Sequence, residues 1–270
     1  GGFIGNIESS KEVNFSNITE YDVDVYGSQN VGGLVGSVSS TNVKNINSSG
    51  KILLSLNTVS GKSDVGGVFG NDCFSAQSIE ANVQNVLSEG SSNNAFVGGY
   101  IGYLAHSAST IGERIVVSVG TVSGTDVVGG FAGYILASVN PLAHQIINRV
   151  NNVDGSTAVG GFIGAGSISN NMKFFPSFED AEINSVYIYN IVDQVHGDTN
   201  VGGFGGKIID FVSHVYNKVN SIQGKNNVGG LVGTTSNSGN RIYTDVRNLI
   251  GTITGESNVG GFIGSYSGTF

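Results

Sequence analysis

The chain has 270 residues, of which 43 are glycine, two proline and one cysteine, and its formal net charge is −8. The twelve Lys and Arg residues are scattered singly, so they give no electrostatic footprint for a nucleic-acid backbone, and a lone cysteine excludes an internal disulfide framework or a thiolate metal cluster. The longest nearly apolar stretch, Val127 to Val139, is shorter than the roughly 20 residues a spanning helix needs, so no membrane span is expected in this segment.

The first five residues, Gly1-Gly2-Phe3-Ile4-Gly5, state a phrase that organises everything after them: a glycine pair, a large apolar residue, one variable residue and a third glycine. After a run of alternating character, Tyr21-Asp22-Val23-Asp24-Val25, the phrase returns at Gly32, and then at Gly66, Gly98, Gly129, Gly160, Gly202, Gly229 and Gly260. A period near 31 residues signals a stacked array, in which each unit buries its apolar face against its neighbours. Each copy is entered in the same way. An apolar residue (Val25, Val59, Val122, Val153, Val195, Ile222 or Ile253) stands two places before a leading glycine, and a valine directly precedes the glycine pair. Those valines are Val31, Val65, Val97, Val128, Val159, Val201, Val228 and Val259. Stacking aligns them in one interior column, and Phe3, Leu34, Val68, Tyr100, Phe131, Phe162, Phe204, Leu231 and Phe262 in another. The glycines are expected where backbones approach closely or where φ is positive.

The spacing also predicts where the array is irregular. The step to the seventh phrase is 42 residues and carries an insertion at about 170–180, and the following step is only 27. Insertions in repeat arrays map to surface loops that meet partners. Phe174, Phe175 and Phe178 in this loop are therefore candidate contact residues, with a lid folded back over the flank as the competing reading. The copies at Gly98 and Gly129 carry Phe96 and Val127 where Asn is usual, and Ser88 stands where Val or Ile is expected before Gly90. Their turns are expected to deviate.

No stretch has a helical stripe, and the runs between phrases are rich in β-branched residues. The expected fold is all-β: a β-solenoid, parallel β-helix or β-roll-like, of about nine repeats in one continuous array over 1–270, read as a piece of a longer chain. Two or three short strands per repeat are expected, with one coil or a stacked hairpin per repeat left open.

Motifs that would carry chemistry are weak. A His-Glu-x-x-His zinc helix is missing, and His106, His144, His196 and His214 are dispersed. Gly61-Lys62-Ser63 imitates the end of a phosphate loop but lacks its earlier glycine and its helix. Glu179, Asp180 and Glu182 form one acidic cluster in the insertion. Asp64, Asp126 and Asp198 sit in turns, where stacked oxygens bind calcium in other rolls, but that column is mostly Asn or Ser. Asn30, Asn200, Asn227 and Asn258 read as turn formers whose amides stack or bond locally. No catalytic, metal or cofactor residue is assigned, and Cys73 reads as a small buried hydrophobe.

The phrase Asn-Val-Gly-Gly-Leu/Phe-Val/Ile-Gly, at Asn30 to Gly36, Asn227 to Gly233 and Asn258 to Gly264, resembles the GLUG repeat of bacterial surface and secreted proteins. So do the upstream strands Val43-Lys44-Asn45-Ile46, Val83-Gln84-Asn85-Val86 and Ile183-Asn184-Ser185-Val186. The resemblance implies a non-enzymatic stalk or scaffold of an adhesin, extracellular or at the bacterial cell surface. Its partners would be a host-surface protein or glycan, or neighbouring copies stacked end to end into a fibre. Repeats of this kind also accompany immunoglobulin-A-specific metallopeptidases, so an accessory region of a secreted protease is a further alternative.

Overall fold

Each repeat makes three strands, and like strands of successive repeats lie side by side. In the computed structural model, which describes residues 1–8, 13–38, 46–90, 95–105, 112–136, 143–166, 188–208, 212–237 and 243–268, a representative coil runs through strands Ala143–Asp154, Ala158–Gly160 and Ile163–Gly166. Three sheets result, of nine, eight and nine strands. Ala158–Gly160 pairs in parallel with Val127–Gly129 before it and with Thr199–Gly202 after it, and its companions do likewise. The protein is thus an all-β parallel β-solenoid, with no helix among the described residues, and each repeat is one coil rather than a hairpin.

The strand between phrases is longer than expected from short strand runs: Ile46–Gly61 has 16 residues, Ser75–Ser88 has 14 and Gly112–Ser123 has 12. Along Gly112–Ser123, Ile115, Val117, Val119 and Val122 are buried. Inward positions alternate up to Val119, although the outward Val116 is also buried, and then Gly120 and Thr121 both lie off the core. The same break recurs between Leu56 and Val59 and between Val83 and Val86. Val86, paired with Val59 and Val122, continues the column that seems interrupted at Ser88 in the sequence; Ser88 aligns instead with Gly61.

The two interior columns stack as expected. Val31, Val65, Val97, Val128, Val159, Val201 and Val228 are all buried, as are Leu34, Val68, Phe131, Phe162, Phe204 and Leu231. Tyr100, Phe131, Phe162 and Phe204 stack ring on ring, with centroids 4.8, 4.7 and 4.9 Å apart and planes within 9° of parallel. Two core assignments need correction: Val259 is 48% exposed and Phe262 38%. Both belong to the last described coil, so a neighbour covers them on one side only; Phe3, 52% exposed, is in the same position at the other end.

Close approach, rather than positive φ, explains the glycines of the phrase. A Cβ on Gly102 would lie 2.6 Å from the Val65 nitrogen and 2.7 Å from the Gly70 oxygen, distances no real side chain tolerates. Positive φ falls instead on Asn30, Asp64, Asn200, Asn227 and Asn258, at 51 to 55°, because Asn and Asp accept the left-handed region better than other side chains. Where this position is Phe96, Val127 or Ala158 the left-handed turn is absent, and the strand shortens from four residues to three. The deviation expected for the copies at Gly98 and Gly129 is present and extends to the copy at Gly160.

A buried polar column runs through the long sheet. Asn148 donates its Nδ2 to Asn190 Oδ1 at 2.8 Å, Asn190 to Asn217 at 2.7 Å, and Asn217 to Asn248 at 2.7 Å. Each of the first three also donates to a glycine carbonyl thirteen residues on, at Gly161, Gly203 and Gly230. The ladder starts where Val117 gives way to Asn148 in register, and the Asn148 Oδ1 is buried without a partner.

Two stability predictions follow from this packing. Gly102→Ala should cost roughly 3 kcal/mol or more, because the obstructing atoms are backbone and cannot rotate away. Asn190→Val strands a donor on Asn148 and an acceptor on Asn217 and should cost about 2–4 kcal/mol, whereas Asn148→Val merely moves the existing orphan to Asn190 and should change stability by less than about 1 kcal/mol. Urea unfolding midpoints of the three variants against the parent chain check both.

Candidate functional site

The residues singled out by motif do not converge. His196 Nδ1 lies 2.7 Å from Asp154 Oδ1, and His214 Nε2 lies 3.3 Å from Asp245 Oδ2; each pair bridges two adjacent coils. Lys62 and Ser63 donate their backbone N–H groups to the Ser28 carbonyl at 2.8 and 3.2 Å, so these amides serve the coil below. Cys73 is fully buried, and desolvation pushes its thiol pKa well above the usual range. Phe174, Phe175 and Phe178, the acidic cluster at 179–182 and His106 lie outside the described residues, as does the His144 side chain. Among the described residues no group of three or more His, Cys, Asp and Glu side chains could hold a metal ion, and no helix is long and apolar enough to cross a membrane.

Two local features emerge on the outside instead. The first is aromatic. Phe96 stacks on Tyr103 with centroids 5.2 Å apart and meets Tyr134 at 4.9 Å with the rings tilted by 38°, beside the small apolar group Val127, Ala158 and Ala165. Phe96, Val127 and Ala158 replace the Asn and Asp of other coils with apolar side chains, which accounts for the altered turns.

The second feature is a groove of about 500 Å³ on the outer face of the long sheet, and it is the candidate site. Strands Ile46–Gly61, Ser75–Ser88, Gly112–Ser123 and Ala143–Asp154 build it. In register, Ser55, Asn82, Ser118 and Arg149 form one outward column. Gln84, Gly120 and Asn151 form the next, each one place before the directly paired Asn85, Thr121 and Asn152. The break in alternation after Val83 and Val119 sets these columns side by side over buried valines. Gly120 packs closely on the neighbouring strand, where a Cβ would lie 2.5 Å from the Gln84 carbonyl oxygen, and it leaves no side chain between those of Gln84 and Asn151, which lie two strand spacings apart, about 9.6 Å.

The contrast with the other columns is informative. In the turn column stacked amides bond to each other, Asn227 to Asn200 and Asn258 to Asn227, each at 2.9 Å, and on the long sheet Asn220 donates to the Asp193 carboxylate at 2.8 Å. In the groove no hydrogen bond joins any two of Ser55, Asn82, Gln84, Ser118, Arg149 and Asn151. The ten lining residues contain one cation, Arg149, and no carboxylate, on a chain whose net charge is −8. Such a surface offers amide donors and acceptors, two hydroxyls and a guanidinium, a set suited to holding a polar ligand. No sequence motif marks it; the signal was Gly120, an isolated glycine within a strand pattern.

Fold and surface together define a parallel β-solenoid with a polar lateral groove. No protein-family model, curated protein or solved structure matches the chain.

Asp64 is the one carboxylate among the left-handed turn residues Asn30, Asn200, Asn227 and Asn258. It is half-buried, and desolvation raises its pKa to about 6. Unfolded, the group titrates near 3.9, so between about pH 4 and pH 6 the folded chain holds more protons than the unfolded one. Stability therefore falls as pH rises through that window and stays lower above it. Asp64→Asn, which matches its column, should stabilise the protein at pH 7 by about 1 kcal/mol after allowance for solvent screening. The gain should vanish near pH 4, as thermal unfolding of both forms at the two pH values will test.

Proposed function

We propose that this array is a non-catalytic, extracellular structural and adhesive region: a rigid stalk or scaffold of a bacterial surface protein that holds recognition surfaces away from the cell. The observation that carries the reading is the uninterrupted register of like residues from coil to coil. Val65, Val97, Val128, Val159, Val201 and Val228 continue as one column across the altered turns and past the insertion at about 170–180. Arrays of this kind resist bending because each coil is fixed to the next by backbone hydrogen bonds and apolar packing at once. The resemblance to the GLUG repeats of bacterial surface and secreted proteins supports the same location, and a host-surface protein or glycan is the partner this reading calls for. Its sides rather than its core are then the place for binding.

The test is made on cells displaying the full-length protein. Deletion of 1–270 should lower adhesion to host cells about tenfold or more, and an unrelated rigid solenoid of equal length should restore only the part of adhesion that depends on reach. Adhesion unchanged by the deletion overturns the proposal.

A further inference from the structure

We infer that the lateral groove at Gly120 is a binding site for a saccharide bearing a carboxylate, with Arg149 as the acid-recognising group. The inference refines the adhesive reading by naming a ligand class, and its failure leaves the stalk role standing.

Three observations lead to it. First, the polar frame is left unsatisfied by the protein itself. In the turn column stacked amides close on one another, Asn227 on Asn200 and Asn258 on Asn227. In the groove Gly120 sets Gln84 and Asn151 two coils apart, and Ser118 does the same between Asn82 and Arg149. Side chains held on rigid strands keep their positions without cost on binding, which is the condition for a preorganised site.

Second, the floor and the walls differ in chemistry. The floor is bare backbone at Gly120 with Leu56, Val83 and Val119 beneath, whereas the rim carries amides and hydroxyls. A sugar ring has the same division: C–H groups on its faces and hydroxyls around its edge. Amides both donate and accept, so they satisfy hydroxyls in either orientation. About 500 Å³ is within the range of small-ligand sites.

Third, the charge has one sign. Arg149 is exposed, lines the cavity and has no carboxylate beside it among the lining residues. Asp193, which follows Asn151 in the neighbouring column, accepts a hydrogen bond from Asn220 at 2.8 Å and is not among the lining residues. A guanidinium presents its donors as a fork matched to a carboxylate. A neutral sugar would leave that fork unused.

The probes are sialyllactose and digalacturonate as carboxylated saccharides and lactose as the neutral one, titrated into the intact protein by calorimetry or saturation-transfer NMR. At least one carboxylated probe should bind at millimolar concentration or better, with lactose at least tenfold weaker. Arg149→Met should weaken the acidic probe by about 10- to 100-fold, the worth of a hydrogen bond to a charged group. Lys218→Met, which removes an equal charge in the same column beyond the groove, should leave binding unchanged. Ser118→Tyr, which fills the groove from an outward position, should abolish binding of every probe while circular dichroism stays that of the parent. No binding of either acidic probe at several millimolar, lactose binding as well as they do, or equal losses in Arg149→Met and Lys218→Met would each overturn the assignment.

Discussion

The distance between two parallel strands, about 4.8 Å, governs this molecule. Every side chain on the inside must be content with a copy of its own position at that separation. Valines and isoleucines satisfy it by ordinary packing. Aromatic rings satisfy it by lying flat on one another, and the measured centroid distances of 4.7 to 4.9 Å are the strand spacing itself. Isolated ring pairs favour offset or edge-on contacts; here the backbone dictates the parallel arrangement. Asparagine satisfies the rule through an amide that is donor at one end and acceptor at the other, so a column of identical residues becomes a hydrogen-bonded chain. Polar atoms left over, such as the Asn148 Oδ1 and the Tyr100 hydroxyl, occur where a column changes its residue type.

The same constraint shapes the outside, with more freedom. Where columns remain uniform, as at Asn200, Asn227 and Asn258, the surface closes on itself in ladders. Where the sequence drifts, two things happen in neighbouring places. Phe96, Val127 and Ala158 replace the left-handed turn residue and gather Tyr103 and Tyr134 into an apolar cover. Gly120 and Ser118 lower the wall of the long sheet and leave a groove. Local recognition on a repetitive scaffold comes from departures from the repeat, since the consensus positions are already committed to each other.

Much of the architecture was legible in the sequence because the glycine phrase is a steric requirement repeated once per coil. Its steps of 42 and 27 did not mislead, since the valine before each pair kept its place; Val159, Val201 and Val228 remain partners across both steps. The buried valines and phenylalanines followed directly. The interior amide ladder was not recognised, although it had a signal: each of its asparagines stands thirteen residues before the second glycine of a phrase. It was overlooked because a lone Asn in a strand reads as a surface or turn residue, and only stacking shows that its copies satisfy one another. The groove was less accessible still. It depends on residues from four coils meeting across a break in alternation, and apart from Gly120 none of them is unusual in its own strand.

The two amide ladders point in opposite directions. In the interior, each asparagine donates toward the coil that follows, from Asn148 to Asn248. In the turns, Asn258 donates back to Asn227, and Asn227 to Asn200. Their dipoles therefore oppose along the axis, as do those of backbone groups that alternate between neighbours above and below. An α-helix of similar length would align its peptide dipoles along the axis; here the amides of one ladder offset those of the other. Lengthening the two ladders by further coils would extend both without summing their dipoles along the axis.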